Sequence, residues 1–397
     1  MQDTLEKLYI EPTSRCNLNC KMCFRKTWIN EVAADMELFV FDRALQTMPD
    51  TVKTIFFGGM GEPLIHNDIL YMVQKAAEAG KCVELVTNAT QLSPEMSERL
   101  LDAGLSTLWV SIDSFEEQLY GDIRKNSVLS VVKENLRAFN HHRKKMGKRA
   151  VLNLTFVVMK SNVQQLAAIP FFASSYNVSE VNISHAIPTD AASLSEILYE
   201  KIIDGEVGVA SLQRAMPRIN VPLMDWRYPG VLGSLDGLFS SSRCSINLSG
   251  QPMSRAQRRC RFVEEGNAFI KHDGSVSPCM ALLHSATSYW ANQKRTVDHH
   301  AFGNIQREGL SAIWQKEEYG KFRDTVRCFE FSHAFAVPRA KTAESRWRHT
   351  SMQPDGLTPL IFSRKTDNYE TVHLSFDVDW SKEVALLLAY CSISVYA

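Results

Sequence analysis

The sequence predicts an α/β fold, a partial (β/α)6 barrel of the TIM-like kind with parallel strands. First, short apolar runs alternate with amphipathic stretches over residues 7–190, a pattern typical of parallel sheets covered by helices. Second, six such strand–helix units suit a partial barrel better than a closed barrel of eight. Third, a cysteine-rich loop follows the first strand, at the edge where the chemistry of such folds gathers.

The predicted elements follow the chain in order. Strands are predicted at 8–10, 54–57, 83–87, 107–112, 151–158 and 180–187. Helices are predicted at 37–48, 68–79, 94–103, 128–145 and 163–174. The helix at 94–103 has the clearest signals, because Ser93 can cap it, Pro94 fits its first position and Gly104 ends it. Cys82 comes just before a strand predicted to be buried, and we expect it to be a small core residue.

Composition narrows the functional classes. The chain has 397 residues, 45% of them hydrophobic, with 44 basic and 44 acidic residues. This balance leaves no net charge that would attract the chain to nucleic acid or to a membrane surface. No apolar stretch approaches the roughly 18 residues of a bilayer span. The N-terminus lacks the features of a signal peptide. We therefore expect a cytoplasmic protein, in which the nine cysteines favour metal ligation over disulfides.

Three cysteines define the cysteine loop, residues 16–23. Cys16, Cys20 and Cys23 have the spacing Cys-x3-Cys-x2-Cys. A four-iron cluster normally takes four thiolates, so three of them leave one iron open, and an open coordination position allows chemistry on a ligand. Zinc binding and a half-built disulfide pair are the alternatives, although zinc usually prefers paired Cys-x2-Cys units. A non-catalytic iron–sulfur or zinc-binding protein is therefore the rival from another functional class.

Polar and glycine residues follow the next strands at the same predicted edge. The glycine loop, residues 58–63, places Gly58, Gly59, Gly61 and Glu62 after the second strand. Its glycines allow close backbone approach to a ligand, and the Glu62 carboxylate could hold an ammonium group. The alternative is an ordinary glycine-rich turn with a solvated glutamate.

Small polar side chains end the third and fourth strands. Thr87 and Asn88 end the third, and Ser111 and Asp113 end the fourth. They suit ribose hydroxyls and amides, and capping of the following helices is the alternative. Arg124 could hold a carboxylate, with a surface salt bridge as its alternative.

These motifs resemble those of the radical S-adenosylmethionine (SAM) superfamily over residues 8 to about 190. The cysteine loop is similar to the cluster motif of that family, and the glycine loop is similar to its SAM-amine motif. The resemblance implies a [4Fe-4S] cluster whose open iron binds SAM, and reductive cleavage of SAM to a 5′-deoxyadenosyl radical. It also implies a flavodoxin- or ferredoxin-type electron donor and an anaerobic host, because the radical must be shielded.

A second cysteine pattern lies downstream. Cys260-x13-Gly274-x4-Cys279 resembles the opening of the SPASM domain, an extension that carries auxiliary clusters, and residues 269–276 are predicted as a hairpin that presents Cys279. The resemblance makes Cys260 and Cys279 metal ligands. After them only Cys328 and Cys391 remain, so two auxiliary cubanes cannot be fully ligated. An α+β lobe with merely buried cysteines is the alternative.

The predicted organisation has three parts: a radical SAM core at 1–225, an incomplete SPASM-like region at 226–332, and an irregular tail at 333–397. Within it, residues 191–243 are expected to be a connector with one helical segment near 193–203. After Ser332 the sequence changes character, which a reading-frame shift would explain. The codons for His333-Ala334 and Phe335-Ala336, read one base back, encode cysteine wherever the third codon base is T. An inactive product of this frame is therefore a further alternative.

The sequence before and around the cysteine loop narrows the resemblance to one subfamily. Residues 4–11 and 13–28 resemble a SPASM-type subfamily, the radical SAM maturases associated with tungsten cofactor (aldehyde ferredoxin oxidoreductase-type) enzymes. This implies a tungsten-containing oxidoreductase as the target, through modification of its cofactor or of a peptide. A generic SPASM peptide or protein maturase and a molybdopterin-precursor cyclase-like enzyme are the alternatives.

Overall fold

A computed structural model describes residues 4–198, 218–221, 224, 228, 230–239, 245–248, 260–290 and 293–328. The strands are β1 (Lys7–Ile10), β2 (Thr54–Phe57), β3 (Cys82–Thr87), β4 (Thr107–Ser111), β5 (Val151–Val158), β6 (Glu180–His185), β7 (Arg218–Val221), β8 (Ser245–Leu248), β9 (Asn267–Ile270), β10 (Ser275–Ser277), β11 (Ala286–Trp290), β12 (Gln293–Val297) and β13 (Gly303–Asn304). The α-helices are α1 (Leu38–Thr47), α2 (Ile69–Glu78), α3 (Pro94–Asp102), α4 (Glu117–Ile123), α5 (Leu129–Lys145), α6 (Ile169–Ser175), α7 (Val231–Phe239), α8 (Arg261–Glu264), α9 (Leu310–Trp314) and α10 (Glu317–Cys328).

One mostly parallel sheet organises the described part of the chain. Its strand order is β13-β10-β9-β1-β2-β3-β4-β5-β6-β7-β8. Strands β1 to β8 pair with their neighbours in parallel, with helices in the connections. The predicted α/β fold, a partial TIM-like barrel followed by a small α+β region, is therefore confirmed.

Burial explains why the strands were readable in the sequence. Strands covered on both faces read as continuous apolar runs, and in β5 every residue after Val151 is buried. Helix α3 also begins as predicted, because Ser93 Oγ accepts a hydrogen bond from the Met96 amide at 3.1 Å and Pro94 takes the first position. Gly104 then ends the helix with a φ of +98°, which favours glycine.

The C-terminal region extends the same sheet. Strand β9 pairs in parallel with β1, in a register that sets Ile270 opposite Ile10. Phe269 stacks on Tyr9 with ring centroids 4.3 Å apart, and such aromatic contacts add to the apolar area that is buried. Strand β10 then pairs with β9 in antiparallel fashion, so the predicted hairpin is present. This pairing brings the turn after β9 to the carboxyl end of β1.

Two expectations were wrong, and one helix was not predicted. The connector 191–243 contains β7 and α7, and β7 continues the sheet toward β8. Helix α4 was not predicted, because its seven residues are too few for a clear periodicity. Cys82 is exposed rather than a core residue, because the first position of β3 lies on the outward side of an alternating burial pattern.

Several predictions fall outside the described residues or stay untested. The tail 333–397, Ser332, Cys391 and the domain boundary near 225 lie outside the described residues. The helical segment near 193–203 is described only as a 3-10 turn at Ser193–Glu196 followed by two further residues. Within the described ranges, every helix falls short of the length and apolar character that a bilayer crossing requires.

Candidate active site

The cysteine loop lies at the carboxyl end of β1, where it forms one wall of a pocket. Cys16, Cys20 and Cys23 are each partly buried and all face this pocket. Backbone hydrogen bonds fix the loop: the Lys21 amide donates to the Ile123 carbonyl at 2.7 Å, and the Cys23 amide donates to the Cys20 carbonyl at 3.2 Å. The loop therefore presents three thiols on a backbone that is bonded to itself and to the last residue of α4.

The other walls come from the strand ends that the sequence pointed to. The pocket is lined by Cys16, Leu18, Cys20, Met22, Cys23, Phe24, Gly59, Met60, Gly61, Glu62, Val86, Thr87, Asn88, Ser111, Arg124 and Val157. Of the residues predicted for this site, only Gly58 and Asp113 are absent from that lining. Strands β1 to β4 thus bring the predicted residues together at one edge, as the carboxyl ends of parallel strands do.

The surroundings of the thiols suit ligation of an iron–sulfur cluster. The Leu18 amide lies 3.4 Å from Cys16 Sγ, and Asn88 Nδ2 lies 3.9 Å from the same sulfur. Hydrogen bonds to sulfur are one of the means by which proteins tune such clusters. Burial raises the pKa of Cys16 and raises the pKa of Cys20 to about 11. The free thiols of Cys16 and Cys20 are therefore protonated near neutral pH, and ligation must release those protons.

The spacing of the sulfurs argues against a single zinc ion. With Zn–S bonds of about 2.3 Å, the sulfurs around one zinc lie roughly 4 Å apart. Among the described residues, the ligand groups found within 4.8 Å of one another are Glu11, His272 and His284. Because the three cysteine sulfurs do not form such a group, at least one pair of them lies more than 4.8 Å apart, which is wider than one zinc ion would hold them.

Glu62 lies in the pocket wall with its carboxylate almost fully buried. It accepts hydrogen bonds from Thr87 Oγ1 at 2.6 Å, the Asn88 amide at 2.7 Å and the Leu64 amide at 3.1 Å. A carboxylate has about four acceptor sites, so one remains for a ligand. Burial raises the pKa of Glu62, and these three hydrogen bonds with nearby Arg124 oppose the rise. Glu62 is thus oriented toward neighbouring strand ends and keeps capacity for one more donor.

Two positions of the glycine loop require glycine. Gly61 has no room for a side chain, and Gly59 has both little room and a positive φ. A Cβ at Gly61 would lie 2.0 Å from the Thr13 carbonyl oxygen and 2.6 Å from that of Arg15. Gly59 has a φ of +144°, which favours glycine, and its Cβ would lie 2.7 Å from Glu11 Cγ. The loop therefore packs its backbone directly against the segment that precedes the cysteine loop.

Replacing Gly61 by alanine should disrupt this packing. The new methyl group meets backbone oxygens that cannot rotate away, so we expect a loss of about 1–3 kcal/mol in the free energy of unfolding, together with weaker ligand binding at the loop. Urea unfolding measures the first effect. The matched control is Gly121→Ala in α4, where the new Cβ meets nothing within 4 Å; there we expect a gain of about 0.5–1 kcal/mol. Equal stabilities of the two variants would contradict this packing.

Arg124 and Asp113 form a buried ion pair at the pocket wall, with Arg124 in the lining and Asp113 behind it. Arg124 Nε donates to Asp113 Oδ2 at 2.7 Å, and Asp113 Oδ1 accepts from the Val157 amide at 2.8 Å. Burial alone would lower the pKa of Arg124, but Asp113 and the Cys20 sulfur raise it, so the guanidinium stays charged beside the cysteine loop. The alternative of a surface salt bridge for Arg124 is therefore wrong. Asp113 orients Arg124 and does not itself line the pocket.

Sequence reasoning missed two parts of the surroundings. The apolar lining from Met22, Val86 and Val157 had no distinctive pattern. The second part that was missed is Glu11, which directly follows β1. Its Oε1 accepts a hydrogen bond from the Met60 amide at 2.9 Å. Its place at a strand end was the one available signal for a role in supporting the glycine loop.

Cys260 and Cys279 lie in the C-terminal region, away from the pocket lining. Cys260 precedes α8 and Cys279 follows β10. Both are buried within the main hydrophobic core. Their role as metal ligands stays a prediction.

Comparison with known families matches two parts of the chain. Residues 10–167 match the family model of the radical SAM superfamily. Residues 260–334 match the SPASM model, an iron–sulfur cluster-binding domain. The first match spans the cysteine loop, the glycine loop and strands β2 to β5.

Individual relatives extend these matches. The chain is 28% identical over 323 residues to a tungsten-containing aldehyde ferredoxin oxidoreductase cofactor-modifying protein of Pyrococcus furiosus, covering 80% of this chain and 83% of that protein. It is 23% identical to an Fe-coproporphyrin III synthase of Methanosarcina barkeri, covering 76% and 71% of the two chains. The solved structure of Streptococcus suis SuiB bound to S-adenosylmethionine has the same fold, with a TM-score of 0.55 at 18% identity, covering 81% of this chain and 68% of that one.

Proposed function

Because this chain belongs to the radical SAM superfamily and carries a SPASM-type extension, we propose that it matures a tungsten-containing oxidoreductase by modifying its cofactor or a peptide. The observation that carries this proposal is the likeness to the cofactor-modifying protein of Pyrococcus furiosus, which spans 80% of this chain and 83% of that protein. The likeness therefore includes residues well beyond the core that binds SAM.

The chain is an enzyme of the family that uses a [4Fe-4S] cluster and SAM. When bound and reduced, this cluster supplies the electron that cleaves SAM and yields a 5′-deoxyadenosyl radical. In our proposal, Cys16, Cys20 and Cys23 hold the cluster. Glu62 accepts a hydrogen bond from the ammonium group of SAM, and Arg124 adds a fixed positive charge beside the sulfurs.

The remaining pocket residues would position the rest of SAM. Thr87, Asn88 and Ser111 place hydroxyl and amide groups along the lining, where they suit ribose hydroxyls. The apolar side chains of Met22, Val86 and Val157 would limit the access of water to the reacting atoms. We further propose a flavodoxin- or ferredoxin-type electron donor and a cytoplasmic setting, since free thiols persist in reducing compartments.

Replacing Glu62 by glutamine should weaken SAM binding while the fold persists. The glutamine side chain keeps one oxygen acceptor, but its NH2 group would face the backbone amide of Asn88, which is also a donor. The glutamine also lacks the negative charge that attracts an ammonium group. Because hydrogen bonds to charged groups contribute about 1.5–3 kcal/mol, we expect the Kd for SAM to rise about 10- to 100-fold. Calorimetry on the reconstituted protein measures it, with exposed Glu98→Gln as the control. An unchanged Kd in a variant that keeps its cluster would refute the assigned role of Glu62.

The proposed target is tested with a tungsten-containing aldehyde ferredoxin oxidoreductase produced in cells that lack this chain. The reduced holoenzyme with SAM should release 5′-deoxyadenosine faster when that oxidoreductase is added, and the mass of the oxidoreductase cofactor or of a peptide should change. The Cys20→Ser variant is the control and should change neither. If SAM is cleaved at the same rate with and without the oxidoreductase, and its mass stays constant, the target is wrong while the radical SAM activity stands.

We also propose that the reading frame shifts near Ser332. The basis is in the sequence: the cysteine pattern stops there, and the neighbouring frame can encode cysteine at two junctions. Sequencing the gene and translating that frame tests the idea. Stop codons, or the lack of a cysteine cluster in the neighbouring frame, would rule it out.

A further inference from the structure

A second group of ligand side chains lies behind the glycine loop. The Glu11 cluster consists of Glu11, His272 and His284, whose ligand atoms all lie within 4.8 Å of one another. His284 Nε2 lies 2.9 Å from Glu11 Oε2, and His272 Nδ1 lies 3.2 Å from the same oxygen. All three side chains are buried, and none lines the pocket described above.

The topology assembles this cluster from three parts of the chain. Glu11 follows β1, and its amide donates to the Ile270 carbonyl at 2.9 Å, which extends the β1–β9 pairing by one step. His272 lies in the turn that follows β9. His284 precedes β11, where Trp28 stacks on its ring with centroids 4.3 Å apart. The imidazole of His284 is therefore fixed in its plane before any ligand binds.

A second carboxylate lies beside the other ring nitrogen of His284. Glu31 Oε2 lies 3.1 Å from His284 Nδ1, and Glu31 is itself held by Lys271 Nζ at 2.8 Å and by the Ser285 amide at 3.0 Å. A proton on Nδ1 that is donated to Glu31 leaves the Nε2 lone pair of the neutral ring facing Glu11. Histidines that bind metal usually have this arrangement, with the far nitrogen donating to a carboxylate.

The surroundings of the Glu11 carboxylate fit the same interpretation. The carboxylate is buried, and His284 Nε2 lies 3.0 Å from its Oε1 and 2.9 Å from its Oε2. A buried carboxylate and two imidazole nitrogens that converge hold either protons or a metal ion between them.

We propose that Glu11, His272 and His284 bind one divalent transition-metal ion of the zinc class. Two imidazole nitrogens and one carboxylate oxygen form a donor set that zinc accepts, and the described cluster contains no cysteine that would attract a second iron–sulfur centre. The ion would join the turn after β9 to the end of β1. It would also fix the Glu11 carboxylate, whose Oε1 accepts a hydrogen bond from the Met60 amide of the glycine loop. The metal ion would thus connect the C-terminal region to the glycine loop through Glu11.

The test uses the full chain with its iron–sulfur clusters reconstituted, so that the cysteines are occupied. The protein is incubated with Zn²⁺, desalted, and analysed for zinc content and by zinc K-edge absorption. We expect one zinc ion per chain, with nitrogen and oxygen neighbours at about 2.0–2.1 Å and no sulfur at about 2.3 Å. His284→Gln should retain no zinc. Glu31→Gln should weaken zinc affinity about 10- to 100-fold, as loss of a carboxylate behind a histidine ligand does. The exposed His141→Gln is the matched control and should retain zinc.

Three results would overturn the proposal. The first is wild-type protein that retains no zinc, because a nitrogen and oxygen site binds Zn²⁺ more tightly than Mn²⁺ or Fe²⁺. The second is zinc with sulfur neighbours, which places it on cysteines. The third is full zinc retention by folded His284→Gln. If that variant does not fold, the absorption spectrum of the wild-type protein decides alone.

Discussion

Replacing Cys20 by serine is expected to remove the [4Fe-4S] cluster from the cysteine loop and, with it, all cleavage of SAM. Among the described residues, three cysteine thiols line the pocket, and a serine hydroxyl does not replace a thiolate as an iron ligand near neutral pH. Iron bound per chain should fall by about four relative to the wild-type protein. Iron analysis and the electron paramagnetic resonance spectrum of the reduced protein measure the loss.

The chain provides a matched control for this substitution. Cys82 is exposed at the start of β3 and does not line the pocket. Cys82→Ser should therefore keep the iron content and the spectrum of the wild-type protein. A Cys20→Ser variant with unchanged iron and unchanged SAM cleavage would show that the cysteine loop is not the cluster site.

Replacing Arg124 by methionine should cause the largest loss of stability. The variant would leave the Asp113 carboxylate, which has no exposed side-chain area, without its positive partner in the protein interior. Breaking a buried ion pair from one side costs about 3–5 kcal/mol. Urea unfolding of the variant measures this cost as a drop in the free energy of unfolding.

A double variant separates the charge effect from lost packing. Asp113→Asn combined with Arg124→Met removes both charges, so most of the lost stability should return. Arg99→Met in α3 is the control, since the Arg99–Glu95 pair is largely exposed and should cost less than about 1 kcal/mol. If the double variant is as unstable as the single one, the pair does not act through charge compensation.

The core of the fold could be predicted because its strands are buried on both faces. The six predicted strands are confirmed to within two residues at each end, since apolar runs between helical patterns have few alternative interpretations. Helix α7 was missed because Gly233 and Gly237 suggested a connector. In the structure, a Cβ at Gly237 would lie 3.0 Å from the Cβ of Ala167, so this glycine allows α7 to pack closely on the 3-10 helix Val163–Ala168.

The site was predictable to the extent that it follows the strand ends. That rule located Cys16, Glu62 and Asn88 at one edge from local sequence alone. It could not reveal that Asp113 lies behind Arg124, because the choice of partner depends on tertiary packing. Nor could it join Glu11 to His284, 273 residues downstream, since that contact depends on the pairing of β9 with β1 and on the return of the chain after β10.

We propose that the cysteine loop and the glycine loop together cleave SAM. The most direct measurement is the amount of 5′-deoxyadenosine formed by the anaerobically reconstituted chain with SAM and dithionite. We expect steady formation by the wild-type protein and by Cys82→Ser, and none by Cys20→Ser. Protein with all three cysteines of the loop ligated to iron that forms no 5′-deoxyadenosine would contradict it.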